Sequence, residues 1–273
     1  MAKTKAPLRA LEAADQNLIC CREAQKSLLP SVFPRIPNLE VAARFIPSAL
    51  VSGDIYNLFR LDERRVGLYN IDISGHGISA ALFSVRLNQR LSHLVSPDGL
   101  LKIPVEKPPY YQINPPDVVI SLLDKEDLLG KYGHFLTLVY AVFDTHNGIL
   151  KFCRAGHNFP LVIHENGKAE YMTGGGTPVG LHLGRERRKA HGIHLGKGDR
   201  FILFSDGLSE AVAPNSERRF GLDGVKSILQ QHKSDSLQNS FEYLIEEVRT
   251  FQGSPEFLDD VSIVGFEWLG PQD

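Results

Sequence analysis

Short apolar segments separated by glycine, proline and aspartate dominate the chain. Most of them run for about five to nine residues, the usual length of a β-strand. The loose alternation at 39–45 predicts a strand with one buried face, whereas the continuous apolar run at 200–204 predicts a strand buried on both faces. The other segments that we predict as strands are 55–59, 66–71, 135–143, 148–153, 160–164 and 261–268.

Helical periodicity is clearest directly after residue 77. There, apolar side chains recur three and four positions apart, which predicts a helix that ends near residue 93 (Ala80, Phe83, Leu87, Leu91 and Leu94). Similar patterns predict helices at 117–129, 222–229 and 240–251. The segment 96–116 holds six prolines, so we expect a surface loop there. Strands outnumber helices, but the helices are long enough to cover sheets.

Residues 8–29 form a separate helical pattern before the first predicted strand. Leu11, Leu18 and Leu28 share an apolar face, which polar Gln25 interrupts. The pattern is too short to establish a coiled coil, and two interpretations stay open. Either the helix packs on its own sheet, or it joins two copies of the chain as a homodimer and influences a two-state element near Asp72.

Four aspartates lie at the boundaries of predicted strands, two of them directly beside glycine and a third at the start of a glycine-containing loop. Asp54 and one of the pair Asp259 and Asp260 precede strands, whereas Asp72 and Asp206 follow them. Strand ends of a layered fold meet at one rim, so these acids can share a site, and facing carboxylates need a cation to stay ionised. Oxygen ligands favour Mg²⁺ or Mn²⁺ over zinc. Spacing alone favours ordinary turn chemistry over a shared site.

The composition narrows the functional classes. The chain has 273 residues, 42% hydrophobic and 23% charged, with a net charge of −2, which gives no electrostatic reason to expect nucleic acid or an anionic membrane as a partner. Cys20, Cys21 and Cys153 form neither a disulfide framework nor a zinc pattern, so a reducing compartment is expected. No apolar run approaches the ~20 residues that span a bilayer. We therefore expect a cytoplasmic protein that contacts no membrane.

Seven motifs in a fixed order resemble the metal-dependent PPM serine/threonine phosphatases, specifically their bacterial SpoIIE- and RsbU-like branch. The motifs are SGDIY, DISGHGISAALFS, FLTLVYAVFD, RAGHNFPLV, GTPVGL, GDRFILFSDGLSEA and DDVSIV. The preceding AQKSLLPSVFPRIPNLEVAARFIPS is similar to the segment that leads into the domain in that branch. Each motif is weak singly, but their number and order make the match specific from about residue 23 to residue 268.

The resemblance implies a fold and a domain organisation. The expected fold class is α+β, a four-layer αββα sandwich of two antiparallel sheets flanked by helices. Residues 31–270 would form the phosphatase domain, and residues 1–30 a helical regulatory segment. Related phosphatases often carry a sensory or receiver domain at this position, so the input to this chain would come from such a domain or from another protein.

The resemblance also implies a ligand set for two Mn²⁺ or Mg²⁺ ions. Asp72 would bridge both ions, the main-chain carbonyl of Ile73 would bind one of them, and Asp54, Asp206 and Asp259 would complete the set. Asp54 and Asp72 are thus the expected catalytic residues, and a metal-activated water would attack phosphorus without a covalent phosphoenzyme. The second acid of the final pair, at position 260, is expected to be structural.

Three positions depart from the better-known eukaryotic branch or leave a role open. Gly53 stands where that branch has a glutamate. His76 is offset by two residues from the histidine of the eukaryotic loop, so both a general-acid role and a structural hydrogen bond stay open. We interpret His157, in the AGH motif, as a packed turn histidine. No arginine near Asp54 can be assigned to the phosphate.

The activity implied is hydrolysis of phosphoserine or phosphothreonine on a regulatory protein, a STAS-domain antagonist of an anti-sigma factor. The alternative is a catalytically idle binding module of the same fold. Retention of all four acids favours the enzyme, because an inactive relative usually loses metal ligands. A Ca²⁺-binding structural domain is disfavoured because the D-x-[DN]-x-[DN]-G loop is absent from the sequence.

Overall fold

The computed structural model describes residues 23, 25, 29–30, 32–75, 77–126, 128–182 and 188–271. Within these residues the strands are β1 Leu39–Ile46, β2 Ile55–Arg60, β3 Arg65–Ile73, β4 Lys102–Pro104, β5 Tyr111–Ile113, β6 Leu136–Asp144, β7 Ile149–Ala155, β8 Leu161–Ile163, β9 Ala169–Tyr171, β10 His191–His194, β11 Arg200–Phe204 and β12 Val261–Trp268. The helices are α1 Ile78–Arg90, α2 Pro116–Asp124, α3 Leu128–Tyr132, α4 Asp206–Ser209, α5 Gly221–Gln231 and α6 Leu237–Gln252.

Two five-stranded antiparallel sheets form the centre of the molecule. The first sheet has the order β1-β12-β11-β8-β9, and the second has the order β10-β7-β6-β3-β2. The two sheets pack through their inner faces, where aromatic side chains meet: the rings of Phe143 and Phe266 lie 4.7 Å apart, and those of Phe152 and Phe201 lie 6.1 Å apart. Such pairs stabilise the interface beyond the area that they bury.

Helices cover the outer face of each sheet. Helices α5 and α6 bury Val225, Leu229 and Phe241 against the first sheet, and helix α1 with helix α2 buries Phe83 and Val119 against the second. The result is a four-layer αββα sandwich, which confirms the expected α+β fold class. Every strand that the sequence predicts is present in one of the two five-stranded sheets. The hairpin expected between 135–143 and 148–153 is formed by β6 and β7.

Three details of the sequence-based prediction were wrong. The proline-rich segment 96–116 is not simply a surface loop, because it contains the β4–β5 hairpin and buries Leu100 and Leu101. The single helix predicted at 117–129 is divided into α2 and α3. Helix α1 ends at Arg90, so Leu94 is 64% exposed rather than part of its apolar face.

The predicted helix at 8–29 falls almost entirely outside the described residues. Glu23 and Gln25 have helical backbone there. Within the described part of the chain, we find no helix with the length and hydrophobicity needed to cross a membrane.

Candidate metal centre

Antiparallel pairing brings all four predicted acidic positions to one end of the sandwich. Strand β2 pairs with β3, so Asp54 before β2 and Asp72 near the end of β3 share an edge of the second sheet. Strand β11 pairs with β12, so Asp206 after β11 and Asp259 before β12 share an edge of the first sheet. We call Asp54, Asp72, Asp206 and Asp259 the acid cluster.

Two glycines allow the loops that carry the acids to approach each other closely, one pair of loops at each glycine. A Cβ atom on Gly53 would lie 2.7 Å from the main-chain oxygen of Ile73, so the loop before Asp54 touches the carbonyl that follows Asp72. A Cβ atom on Gly207 would lie 2.2 Å from the main-chain oxygen of Asp260. Any side chain would prevent these approaches, which explains why glycine accompanies the acids.

Asp260 joins the two pairs of loops. Its carboxylate accepts hydrogen bonds from the main-chain N–H and hydroxyl of Ser48, from the hydroxyl of Ser52 and from the N–H of Gly53. Both of its oxygens are therefore engaged by the segment that leads to Asp54. Asp259, in contrast, is exposed, and one of its oxygens accepts the N–H of Asp260 at 2.7 Å. These contacts support a structural role for Asp260 and leave Asp259 accessible.

Asp54 is held by a buried polar network between the two sheets. It is 3% exposed, and its carboxylate accepts a hydrogen bond of 2.7 Å from the hydroxyl of Ser262 on β12. The same Ser262 oxygen lies 3.1 Å from the side-chain oxygen of Asn70 on β3. Ser205 continues this network, since its hydroxyl accepts the N–H of Ser262 and donates to the carbonyl of Asp260. The orientation of Asp54 thus depends on both sheets.

Burial and mutual repulsion raise the pKa of each member of the acid cluster. Burial, then the charge of Asp72, raises the pKa of Asp54 well above its ordinary value. Burial raises the pKa of Asp72 to about 7, with contributions from the charges of Asp206, Asp259 and Asp260. Burial and the charge of Asp259 raise the pKa of Asp206 to about 6, and partial desolvation of the carboxyl group raises the pKa of Asp259 even though the residue as a whole is exposed. A divalent cation would relieve this repulsion.

The chemistry of the acid cluster fits a hard cation. Glu210, which the sequence analysis did not identify, lies near enough for its charge to raise the pKa of both Asp206 and Asp259, but its carboxylate is paired with Arg219 at 2.7 Å. Within the described residues, no group of three or more His, Cys, Asp or Glu side chains is arranged so that it could hold a metal ion. The acid cluster is defined instead by the pairing of its loops and by the mutual electrostatic effects of its members. Carboxylate and carbonyl oxygens are the ligands that Mg²⁺ and Mn²⁺ prefer.

Two buried histidines border the cluster, and neither was singled out as a catalyst. His157 contacts the hydroxyl of Thr137, the residue paired with Asp72 across β3 and β6, at 2.8 Å. Burial lowers the pKa of His157 to about 3, so it stays neutral and matches the interpretation as a packed histidine. His134, which the sequence analysis did not identify, donates from Nδ1 to the carbonyl of Ser74 at 2.7 Å. His76 lies outside the described residues.

Gln25 connects the N-terminal segment to the same region. Its side-chain oxygen accepts the N–H of Ser52 at 2.9 Å, and its side-chain nitrogen donates to the carbonyl of Ser52 and to the hydroxyl of Ser84 on α1. The polar residue that interrupts the apolar pattern of 8–29 is thus buried between the loop before Asp54 and the helix after Asp72. A polar residue within an apolar helical pattern was therefore the sequence signal for this buried contact.

Solved structures identify the class of fold. The SiaA-PP2C domain of Pseudomonas aeruginosa matches with a TM-score of 0.77 at 17% identity, over 95% of this chain and 98% of that chain. RsbX in complex with magnesium matches with a TM-score of 0.56 at 14% identity, over 87% of this chain and 98% of that chain. The sandwich is therefore that of a PP2C-type phosphatase domain, and at these identities the likeness establishes the fold alone.

Sequence comparison identifies the family. Phosphoserine phosphatase RsbP of Bacillus subtilis (strain 168) is 24% identical over 198 residues, 72% of this chain and 46% of RsbP. Phosphoserine phosphatase RsbU of the same strain is 23% identical over 243 residues, 88% of this chain and 66% of RsbU, so the chain spans less than two thirds of each. The family model described as Stage II sporulation protein E (SpoIIE) matches residues 62–269. The chain belongs to the SpoIIE family.

The Gly53 contact predicts a loss of stability on substitution. Gly53→Ala should lower the free energy of unfolding by about 1–3 kcal/mol, because the new methyl group would collide with the Ile73 carbonyl. Urea unfolding of the purified chain measures this. Gly192→Ala is the control, since a Cβ atom there meets nothing within 4 Å. Equal stabilities of the two variants would contradict the close approach of the two loops.

The raised pKa values predict a pH dependence of stability. The folded state holds protons on the cluster that the unfolded state releases, so between about pH 4 and pH 7 the free energy of unfolding should fall as pH rises. In Asp206→Asn, the fall in the free energy of unfolding between about pH 5 and pH 8 should be smaller than in the parent chain by about 1 kcal/mol. This figure is reduced for the partial exposure of Asp206.

Urea unfolding at both pH values, after dialysis against chelator, measures this difference. Asp223→Asn is the matched control because the Asp223 side chain is 95% exposed on α5. If Asp206→Asn and the parent chain showed the same pH dependence, the repulsion within the acid cluster would be refuted.

Proposed function

We propose that this chain is a metal-dependent protein serine/threonine phosphatase. The observation that carries the proposal is the convergence of Asp54, Asp72, Asp206 and Asp259, with raised pKa values, at one end of a PP2C-type sandwich. Membership of the SpoIIE family and similarity to two phosphoserine phosphatases support it. A catalytically idle module of the same fold is the alternative, and the retention of four carboxylates at the site disfavours it.

The acid cluster would hold two Mn²⁺ or Mg²⁺ ions. In this proposal Asp54, Asp72, Asp206, Asp259 and the carbonyl of Ile73 would be the protein ligands, and Asp72 would be the one that the two ions share. The ions, when bound, neutralise the carboxylates and supply the Lewis acidity that activates water for attack on phosphorus. The similarity to RsbX, whose structure is a complex with magnesium, supports the choice of ion class.

The remaining contacts of this chain position those ligands. Ser262 orients the Asp54 carboxylate, and Asp260 fixes the loop that carries Gly53. His134 fixes the loop after Asp72 through the Ser74 carbonyl. These groups contact the loops of the proposed ligands from both sheets, so they would restrain the ligands before a substrate arrives, which is a requirement of electrostatic catalysis.

The substrate we propose is phosphoserine or phosphothreonine on a regulatory protein, a STAS-domain antagonist of an anti-sigma factor. The similarity to RsbU and RsbP, both named phosphoserine phosphatases, supports the phosphoserine part. The STAS partner rests on the resemblance of the motifs to the RsbU-like branch. A cytoplasmic location fits such a substrate and remains a prediction from the cysteine content.

Metal dependence is the first test of this function. Hydrolysis of 4-nitrophenyl phosphate should require Mn²⁺ or Mg²⁺ and stop with chelator, because every proposed ligand is an oxygen atom. Asp72→Asn should reduce turnover by about 10³-fold or more, since a neutral amide cannot bridge two dications. Absorbance at the wavelength of 4-nitrophenolate measures the rate.

Asp259→Asn and Asp260→Asn form a matched pair of neighbours. Asp259→Asn should raise the Mn²⁺ concentration needed for half-maximal activity. Asp260→Asn should act mainly on stability, because its carboxylate is already occupied by Ser48, Ser52 and Gly53. Activity that survives full removal of divalent ions, or zinc as the sole activator, would overturn the two-metal proposal.

We also propose that residues 1–30 form a regulatory segment attached to a catalytic domain at 31–270, through which a second copy or an upstream domain acts. The Gln25 contacts to Ser52 and Ser84 support this, because they connect the segment to the loop before Asp54 and to helix α1. The leucines at 11, 18 and 28 would each contribute ~1.5–3 kcal/mol if buried between two copies.

Sedimentation of the intact chain tests the homodimer. The parent should sediment as a dimer and Leu18→Glu as a monomer, because a buried glutamate would be unpaired in the interface. Leu94→Glu is the control, as Leu94 is 64% exposed. A monomeric parent, or a Leu18→Glu variant that still dimerises, would rule out this interface.

A further inference from the structure

A cavity of about 330 Å³ lies between helices α1 and α3. We call it the α1–α3 cavity. It lies apart from the proposed ligands, and no residue role assigned so far uses it. The residues that line it are Ser79, Leu82, Phe83, Arg86, Lys131 and Tyr132.

The wall formed by α1 is apolar and exposed. Leu82 is 61% exposed, and Ile78, one helical turn earlier, is 43% exposed. Residues four apart lie on the same helix face, so Ile78, Leu82 and Arg86 form one stripe. Exposed leucine and isoleucine side chains next to a cavity can accept an apolar side chain from another molecule.

Two cations, Arg86 and Lys131, line the cavity. The Arg86 guanidinium lies 5.5 Å from the centre of the Tyr132 ring, and neither Arg86 nor Lys131 forms an ion pair within the part of the chain that the structure describes. Arg90, one turn further along α1, is in contrast paired with Glu126. The cavity therefore has a positive rim that suits an acidic partner.

Hydrogen bonds connect the cavity to the acid cluster. The hydroxyl of Ser79, which lines the cavity, lies 2.8 Å from Nε2 of His134. The Nδ1 atom of the same ring donates to the carbonyl of Ser74, two residues after Asp72. The His134 ring also stacks on Phe83 with centroids 5.9 Å apart. A molecule seated in the cavity would therefore border the loop that follows Asp72.

We propose that the α1–α3 cavity is a docking site for the phosphoprotein substrate. An apolar side chain of the substrate packs on Leu82, and a neighbouring carboxylate of the substrate pairs with Arg86 and Lys131. This docking delivers the phosphorylated residue to the acid cluster, so the inference rests on the proposed phosphatase function. Charge complementarity favours an acidic protein over a second copy, because a two-fold contact would place Arg86 and its symmetry mate on one surface.

The experiment compares a small substrate with docking peptides. The probes are 4-nitrophenyl phosphate and phosphoserine peptides that carry Leu-Asp-Asp at about four to ten residues from the phosphoserine, an extended reach of roughly 13–35 Å. Each peptide has a partner with Ala-Ala-Ala in place of Leu-Asp-Asp. The parent chain with Mn²⁺ should show KM about tenfold lower for at least one Leu-Asp-Asp peptide than for its alanine partner.

Variants of the cavity separate docking from catalysis. Leu82→Glu and Arg86→Glu should raise KM for the preferred peptide about tenfold and leave kcat unchanged, and both should hydrolyse 4-nitrophenyl phosphate as the parent does. Leu94→Glu and Lys107→Glu change exposed positions elsewhere on the surface. These two variants should hydrolyse both the preferred peptide and 4-nitrophenyl phosphate with the KM and kcat of the parent. A peptide with Lys in place of Asp should restore the low KM with Arg86→Glu, because the charge pair is then reversed.

Each failure has a distinct meaning. If the parent hydrolyses neither probe with Mn²⁺ or Mg²⁺, both the phosphatase function and the docking site are overturned. If it hydrolyses 4-nitrophenyl phosphate but prefers none of the Leu-Asp-Asp peptides, the docking site alone is overturned. A loss of dimerisation in Leu82→Glu, or an equal loss with both substrates, would likewise overturn docking, because the stripe would then be a self-association or a structural surface.

Discussion

Mutual repulsion among carboxylates at one end of the sandwich is the constraint around which this structure is arranged. Burial alone raises the pKa of Asp54 and Asp72, and each neighbouring charge raises it further. Such a cluster disfavours close approach of the strand ends, so other contacts must hold them in place. The hydrogen bonds of Asp260, the Ser262 bridge between the sheets and the contact of Gly53 with Ile73 supply that restraint. The acid cluster and its support are therefore one unit that neither sheet could build alone.

The layered fold could be predicted from the sequence because buried strands and amphipathic helices leave different hydrophobic patterns. The apolar segments at 66–71 and 200–204 became β3 and β11, and the α+β sandwich is confirmed. The segment 96–116 was misjudged because its prolines break regular structure locally, whereas Leu100 and Leu101 are buried by contacts with distant residues. Local pattern does not contain that information. The extent of α1 was overestimated for a similar reason, since Leu94 matches the helical spacing without a surface to pack on.

The acidic positions could be identified in the sequence because each stands beside a strand boundary. The sequence did not show which of these acids is accessible and which is held by hydrogen bonds. Asp259 and Asp260 are chemically identical neighbours, and only tertiary structure shows that one faces solvent while the other is enclosed by donors. Glu210 and His134 left no comparable signal, because a glutamate after a turn and a histidine before a strand are common. Gln25 did leave one, as a polar residue within an apolar pattern. The metal-ligand roles and the substrate remain predictions, since they concern molecules other than this chain.

The Gly53 contact has a consequence for how the two branches of these phosphatases differ. The eukaryotic branch was expected to have glutamate at this position, but here a single added carbon atom would already meet the Ile73 oxygen. A glutamate could be introduced only if the end of β3 moved away from the loop before β2. In this chain, glutamate at position 53 would therefore require two changes at once, the substitution itself and a wider spacing between the loop before β2 and the end of β3.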